Sequence, residues 1–288
     1  MLRYFFYKIA QWIVRTLPLG VSFAAARFLS DCQHAFSTKD RRAVQSNIAS
    51  LEPDPRRAEF LTREVFRNFG KYLIEFLWAQ GRFDREFLEK NVTITGREHL
   101  AAAYGRGKGM MVVTAHIGNW ELGAGALGLL GYPVTGIALK HPHPRVNAFF
   151  DEQRASMGIK VVSTENAVRE CLKDLQEKKA IAIVAERDFH HRGHRMPFLA
   201  KTAEIPRGAA MFALKSQSPI VPAFLLRGER PLTFRLVACP PVYPEDFAGE
   251  GDENQKVEAI IRSYITVIEK VIRENPSQWL MFREYEHG

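Results

Sequence analysis

The residues of this chain with the clearest potential for chemistry are His116 and Glu121, in the segment 110–125, MMVVTAHIGNWELGAG. An apolar run ends at His116, and Gly118 and Asn119 then precede a helix-like segment that carries Glu121. Histidine is a suitable general base near neutral pH because its ordinary pKa is about 6.5. We therefore predict that Glu121 accepts the Nδ1–H of His116, so that Nε2 can take a proton from a substrate hydroxyl. The alternative is a structural histidine paired with a helix-capping carboxylate.

Other common catalytic patterns are missing from the sequence. There is no G-x-S-x-G motif and no cysteine beside a suitable base, so a covalent acyl-enzyme is not indicated. H-E-x-x-H is absent, and the stretch 190–194, HHRGH, has no accompanying carboxylate or cysteine ligands at the usual spacing. The glycine-rich stretch 105–109, GRGKG, precedes an apolar run instead of following one, which favours a turn over a phosphate loop. We expect neither a metal nor a cofactor.

The elements that must position these residues follow an α/β pattern. After Asn91, short apolar runs alternate with helix-like segments, which favours a mainly parallel sheet flanked by helices. His116 would then lie at the carboxyl end of a strand, where open α/β sheets place their reactive groups. The last two runs are close together and are predicted to pair antiparallel. The predicted strands are 92–95, 110–115, 134–139, 160–162, 180–185, 220–226 and 233–238, and a long amphipathic helix is predicted at 255–273.

The N-terminal part of the chain is predicted to be helical. Residues 37–89 have apolar positions every three or four residues, and residues 1–30 contain four basic residues and no acidic one. A broad apolar arc on the first helix predicts that it lies in a membrane interface; the alternative is packing on the rest of the protein. A transmembrane span is not expected, because the longest uncharged stretch has eleven residues and contains Pro18 and Gly20. The arc consists of Leu2, Phe5, Phe6, Ile9, Trp12, Ile13 and Leu17.

We therefore divide the chain into an amphipathic segment, 1–30, and a single α/β domain, 31–288, whose part 31–90 is helical. Composition agrees with a globular chain, since 46% of the 288 residues are hydrophobic and 25% are charged. A net charge of +8 favours anionic partners. Nucleic-acid-binding motifs are missing, so no nucleic-acid partner is expected. Three scattered cysteines fit a reducing compartment.

The segment from His116 to Glu121, HIGNWE, resembles the H-x4-[D/E] motif of glycerolipid-type acyltransferases. Its HxGNWE form is similar to that of the lipid A biosynthesis (lauroyl/myristoyl) acyltransferase family, and phosphatidylinositol mannoside acyltransferases are similar as well. The sequence departs from the pattern at Glu186, where Asp is usual, at 199–200 and at 140–142. The other segments that carry the resemblance are 42–47 (RAVQSN), 147–154 (NAFFDEQR), 185–188 (AERD), 196–199 (MPFL), 220–222 (IVP) and 278–279 (QW).

This resemblance implies an O-acyltransferase that moves a fatty acyl group from an acyl thioester to a hydroxyl of a lipid A precursor or a related glycolipid. The donor would be carried by acyl carrier protein or coenzyme A, and the enzyme would lie on the cytoplasmic face of the inner membrane, against anionic lipid. The alternatives are a phosphatidylinositol mannoside or lysophospholipid acyltransferase and, in another class, a non-catalytic glycolipid-binding membrane protein.

The resemblance also implies roles for particular residues. Arg154 and Lys140 are candidates to hold phosphate, one as a bidentate fork and the other as a point charge. A solvated basic face is the alternative for both of them. The remaining candidates for substrate binding are Asn119, Trp120, Glu186, Arg187 and Asp188; for Trp120 core packing, and for the last three a structural ion pair, are the alternatives.

Overall fold

A seven-stranded, mainly parallel sheet forms the centre of the fold. A computed structural model describes residues 2–188 and 193–285, except for the side chains of residues 2 and 3. The strands occur in the order β1-β9-β8-β2-β5-β3-β4, and β6 pairs with β7 as a separate hairpin. The strands are β1 (Val92–Thr95), β2 (Met110–Thr114), β3 (Val134–Ala138), β4 (Ile159–Ser163), β5 (Ala180–Val184), β6 (His194–Phe198), β7 (Lys201–Ile205), β8 (Ile220–Arg227) and β9 (Phe234–Ala238).

The predicted α/β class and all seven predicted strands are confirmed, with their ends within two residues. β8 and β9 pair antiparallel, as predicted, whereas the other pairs of the main sheet are parallel. The hairpin β6–β7 was not predicted as a pair of strands. Its short strands contain proline, glutamate and lysine, so they lack the apolar runs that identify the buried strands.

Helices cover both faces of the sheet. The last of them begins with a capping box, in which Asp252 and Gln255 satisfy each other's backbone N–H groups, and it spans the whole predicted segment 255–273. The α-helices are α1 (Leu2–Thr16), α2 (Leu19–Phe36), α3 (Thr38–Ala49), α4 (Pro55–Ala79), α5 (Arg85–Asn91), α6 (Arg97–Gly105), α7 (Trp120–Leu129), α8 (Pro144–Ala155), α9 (Ala167–Gln176), α10 (Gly208–Ser216) and α11 (Glu253–Glu274).

The strand β2 lies in the middle of the sheet and is buried on both faces. Met110 and Val112 pack into the apolar layer that includes α7, whereas Met111 and Val113 pack into the layer that includes α11. This alternation follows from the two-residue period of a strand. Because both faces are covered, every position can be apolar, which explains why β2 reads as a continuous apolar run.

The first helix packs on the protein with one face and exposes the other. On the inner face Tyr7 stacks on Phe149, with ring centroids 5.8 Å apart, and Gln11 donates to Gln80 and Gln153. On the outer face the large side chains of Phe6 and Trp12 are 60% and 64% exposed. Packing on the protein is therefore confirmed for the inner face, whereas membrane contact by the exposed outer face stays a prediction. In the described part of the chain, no helix combines the length and the apolar character that crossing a bilayer requires.

Candidate active site

The structure places His116 against Glu186 at the carboxyl ends of two neighbouring strands. His116 Nδ1 lies 2.9 Å from Glu186 Oε1, and the backbone N–H of His116 donates to the same oxygen over 2.8 Å. The strands β2 and β5 are parallel, with Thr114 opposite Val184. His116 lies two residues after Thr114, and Glu186 lies two residues after Val184. The register of these two strands therefore brings the side chains of His116 and Glu186 together.

The prediction that Glu121 accepts the Nδ1–H of His116 is wrong. Glu121 is the second residue of α7, and its carboxylate forms a bidentate pair with Arg154 of α8, over 2.9 Å from Nε and 2.7 Å from Nη2. Glu186, which we expected to contact substrate, occupies the position at Nδ1 instead. The carboxylate near in sequence is turned toward a neighbouring helix, and the one 70 residues away in sequence contacts the imidazole.

The electrostatics of the His116–Glu186 pair favour an ionised carboxylate. Glu186 is 1% exposed, and burial alone would raise its pKa, but the adjacent charge and hydrogen bonds of His116 outweigh burial and lower it. The other ring nitrogen of His116, Nε2, has no hydrogen-bond partner among the residues that the structure describes. The imidazole is partly exposed, with 21% of its side-chain surface accessible.

The Glu121–Arg154 pair leaves less of its cation available to a substrate than the His116–Glu186 pair leaves of its imidazole. Burial lowers the pKa of Arg154, but the hydrogen bonds that it donates to Glu121, with the charge of that carboxylate, reverse this effect and raise the pKa above its ordinary value. Asp151 lies 3.6 Å from Nη1 of the same guanidinium. Arg154 therefore stays charged and has two carboxylates beside it before any phosphate is bound.

The loop that carries His116 is fixed by backbone contacts from two other parts of the chain. Gly118 donates its N–H to the carbonyl of Gln278, and Leu280 donates to the carbonyl of His116. Gly118 has a φ of +61°, and a Cβ on it would lie 2.0 Å from the carbonyl oxygen of Leu225, so only glycine fits. The near-terminal Gln-Trp segment of the sequence thus serves to hold this loop, since Trp279 also forms a β-bridge with Ile117.

Trp120 lies between the imidazole of His116 and the helix α4. Its ring is 5.0 Å from that of His116, nearly perpendicular, and it stacks on Tyr72 of α4 at 4.4 Å. A narrow, mainly apolar crevice runs from Trp120 between α7 and the sheet, along Gly123 and Ala124. Trp120 can therefore line the crevice and also pack against α4.

Other predicted site residues are not brought to the imidazole. Asn119 is fully buried; its Oδ1 caps α7 at the N–H of Leu122 and its Nδ2 donates to Glu75, so direct substrate binding by this side chain is contradicted. Lys140 is exposed and donates to Glu165 over 2.6 Å. It lines a separate crevice at the ends of β3 and β4, which also includes Asp151.

Arg187 and Asp188 follow Glu186 and are half-buried at the same edge of the sheet. Burial and the nearby Arg283 lower the pKa of Arg187. Of the histidine-rich stretch, residues 190–192 lie outside the described residues. Among the described residues, no group of three or more His, Cys, Asp or Glu is placed to hold a metal ion.

Several residues of this region were not singled out from the sequence. They are Tyr72 and Glu75 of α4, Gln153 of α8 and Arg227 at the end of β8. Strand ends give a usable signal for the role of Glu186, because His116 and Glu186 both directly follow the ends of predicted parallel strands. Nothing comparable identifies Glu75, which lies within an otherwise ordinary amphipathic helix.

Comparison with known proteins identifies relatives over nearly the whole chain. Residues 1–285 match the family "Bacterial lipid A biosynthesis acyltransferase". A phosphatidylinositol mannoside acyltransferase of Mycolicibacterium smegmatis is 24% identical over 282 residues, which cover 95% of this chain and 88% of the relative. A lipid A biosynthesis palmitoleoyltransferase of Escherichia coli is 25% identical over 280 residues, which cover 93% of this chain and 86% of the relative.

Proposed function

Because this chain belongs to the bacterial lipid A biosynthesis acyltransferase family, we propose that it moves a fatty acyl group from an acyl thioester to a hydroxyl of a glycolipid. Family membership makes it an acyltransferase. The observation that carries the finer proposal is the imidazole of His116, held by Glu186 at Nδ1 and partly exposed. An ionised carboxylate at Nδ1 fixes the tautomer in which Nε2 accepts a proton and stabilises the imidazolium that results.

The reaction that this arrangement supports has no covalent intermediate on the protein. Nε2 of His116 takes the proton of the acceptor hydroxyl while the hydroxyl oxygen attacks the carbonyl carbon of the thioester. The carbon–sulfur bond then breaks, and the sulfur leaves as a thiol with the proton that His116 held. Because a thioester is already a good electrophile, a positioned base and a positioned acceptor suffice.

Substrate binding is proposed for groups near the imidazole and for Lys140, which lines the separate crevice at the ends of β3 and β4. The mainly apolar lining of the crevice beside Trp120 suits an acyl chain, but its volume is only about 20 Å³, so its walls must move apart to admit the chain. Arg154, Arg187 and Lys140 are the cations proposed for the phosphates of acceptor and donor, and Arg154 can bind one only by sharing its guanidinium with Glu121 or releasing it. The net charge of +8 favours acyl carrier protein, which is acidic, as the donor and an anionic membrane as the surface.

The acceptor is proposed to be a lipid A precursor, with a phosphatidylinositol mannoside as the second candidate. Both types of relative align with more than nine-tenths of this chain. The Ala-Glu-Arg-Asp segment, 185–188, resembles the Ala-Asp-Arg-Asp of the second group.

The purified full chain, incubated with radiolabelled acyl thioesters of acyl carrier protein or coenzyme A and with either acceptor, tests these proposals. We expect a labelled glycolipid and an equal amount of free thiol. A non-catalytic binding protein gives neither product, and a thioester hydrolase gives free fatty acid without an acceptor.

We also propose that the exposed face of α1 lies in the interface of an anionic membrane. Phe5, Phe6, Ile9 and Trp12 provide the apolar contact, and Lys8 and Arg15 provide charge at its edge. The double variant Phe6→Glu/Trp12→Glu should lose most binding to vesicles of phosphatidylglycerol and phosphatidylethanolamine. Unchanged cosedimentation with these vesicles would contradict the assignment, and Val168→Glu, on the exposed face of α9, is the matched control.

A further inference from the structure

A buried ion pair that is separate from the reacting groups connects the helix α4 to the loop 116–119, which carries His116. Glu75 of α4 and Arg227 at the end of β8 are 2% and 8% exposed. Arg227 Nε donates to both carboxylate oxygens of Glu75, over 2.8 and 3.0 Å. Glu75 Oε2 also accepts from Asn119 Nδ2 over 2.8 Å, three residues beyond His116.

Stability alone is a poor explanation for this pair. Burying two charges costs several kcal/mol per ion before their attraction is counted, and an apolar pair of similar volume is often as stable. Moreover, Nη1 and Nη2 of Arg227 are buried without a hydrogen-bond partner in the part of the chain that the structure describes. The guanidinium is thus satisfied mainly through Glu75, at a cost that a packing role would not require.

The pair determines how the amide of Asn119 is oriented. An ionised carboxylate can only accept and a guanidinium can only donate, so Glu75 must face the NH₂ group of Asn119. The oxygen of that amide is then directed to the N–H of Leu122, where it caps α7 over 3.2 Å. One carboxylate thereby fixes both the start of α7 and the end of the loop 116–119.

The same face of α4 also contacts Trp120, the first residue of α7 after the loop. Tyr72, one turn before Glu75, stacks on Trp120, and Trp120 lies against the ring of His116. A change in the position of the loop would therefore move the imidazole relative to the crevice beside Trp120.

We propose that Glu75 is a positioning residue for His116, acting through the side-chain amide of Asn119, with Arg227 as the counter-ion that lets this carboxylate be buried. Its effect on turnover rests on the proposed acyl transfer, whereas its effect on the imidazole does not.

Two double variants separate positioning from packing. Glu75→Gln/Arg227→Met and Glu75→Leu/Arg227→Met both remove the two charges, but only the first keeps an oxygen that can accept from Asn119. We expect the glutamine variant to have nearly the wild-type kcat and the leucine variant to be about tenfold slower or more, with the KM for the acyl thioester little changed, because small misplacements of a base are costly. Equal kcat values in the two folded variants would overturn the proposal.

The single variant Glu75→Gln provides the test if the leucine variant does not fold. In the wild type Arg227 Nε donates to both carboxylate oxygens, and Oε2 also accepts from Asn119. In either orientation of the new amide its NH₂ group therefore faces a donor, so the side chain must move and kcat should fall. Adding Arg227→Met frees the oxygen for Asn119 and should restore the rate. If the second substitution brings no recovery, Glu75 does not act through Asn119.

A spectroscopic measurement makes the test independent of turnover. The ring nitrogens of His116 in ¹⁵N-histidine-labelled protein, assigned by their loss in His116→Gln, should have the same chemical shifts in wild type and in Glu75→Gln/Arg227→Met. They should be shifted or broadened in the leucine variant, or in Glu75→Gln alone. If these shifts change as expected but the wild type makes no acylated lipid, the proposed function is wrong and the positioning role stands. Identical ring shifts in all variants, with normal turnover, would remove the positioning role and leave the function.

Discussion

The pairs His116–Glu186 and Glu121–Arg154 both place a buried carboxylate against a nitrogen-containing side chain, yet they are suited to different tasks. In the first, a titratable ring uses one nitrogen for the carboxylate and has the other without a partner among the described residues. In the second, two nitrogens of a permanently charged guanidinium are used by one carboxylate. The first arrangement can transfer a proton, whereas the second can hold a helix or an anion in place.

This comparison also explains why the nearer carboxylate was the wrong choice. Glu121 is five positions from His116, but its carboxylate is paired with Arg154 of α8. Glu186 is distant in sequence, but its strand is the hydrogen-bonded neighbour of β2. At this edge of the parallel sheet, the residue that follows the adjacent strand therefore contacts His116, whereas the carboxylate five positions along the chain does not.

The largest effect is expected from removing the imidazole. His116→Ala should lower kcat about 10²- to 10⁴-fold, the usual contribution of a general acid–base group, without a large loss of thermal stability. Acyl transfer is measured with labelled thioester, and folding by circular dichroism. His99→Ala, on α6, is the matched control. Wild-type turnover in folded His116→Ala protein would mean that another group is the base.

A smaller loss is expected from neutralising the partner of the imidazole. Glu186→Gln keeps an oxygen for Nδ1–H but removes the charge that stabilises the imidazolium, so kcat should fall about 10- to 100-fold. Acyl transfer is measured with the same labelled thioester. If Glu121→Gln lowered kcat in this way and Glu186→Gln did not, the assignment of the two carboxylates would have to be exchanged.

Changing the second pair should affect acceptor binding more than the chemical step. Arg154→Lys keeps the charge but loses the bidentate geometry, and we expect about a tenfold rise in the KM for a phosphorylated acceptor. The KM for the acyl thioester and kcat at saturation should change less. A fall in kcat as large as that of His116→Ala would place Arg154 among the reacting groups.

The smallest effect is expected on stability at acid pH. The folded-state pKa of Glu186 is lowered by His116, so the pair stabilises the fold above the ordinary glutamate pKa of 4.5, and this contribution is lost as pH falls below that value. The free energy of unfolding of wild type should therefore fall more steeply below pH 4.5 than that of Glu186→Gln. Urea titrations at several pH values measure this difference, with the exposed Glu86→Gln as control. Parallel curves for wild type and Glu186→Gln would contradict the lowered pKa.

Most of the fold could be predicted from the sequence because each strand of the main sheet has a local signal in the sequence. Each buried strand is a short apolar run, and residues such as Met110 and Met111 are apolar on both faces since helices cover both. The hairpin β6–β7 was missed because its polar alternation carries no comparable signal. For α1 the amphipathic pattern left membrane contact and packing on the protein as alternatives, and the structure shows that one face packs on the protein.

Residue types and spacing alone determined that His116 ends a strand of an α/β sheet and which chemistry an imidazole there could perform. Only the tertiary structure decided which carboxylate serves it, which arginine Glu121 holds, and that Asn119 faces Glu75 instead of a substrate. The physical reason is that hydrogen-bond partners are selected by strand order, register and helix packing, which join positions far apart in the chain, whereas periodicity and capping act over a few neighbouring residues.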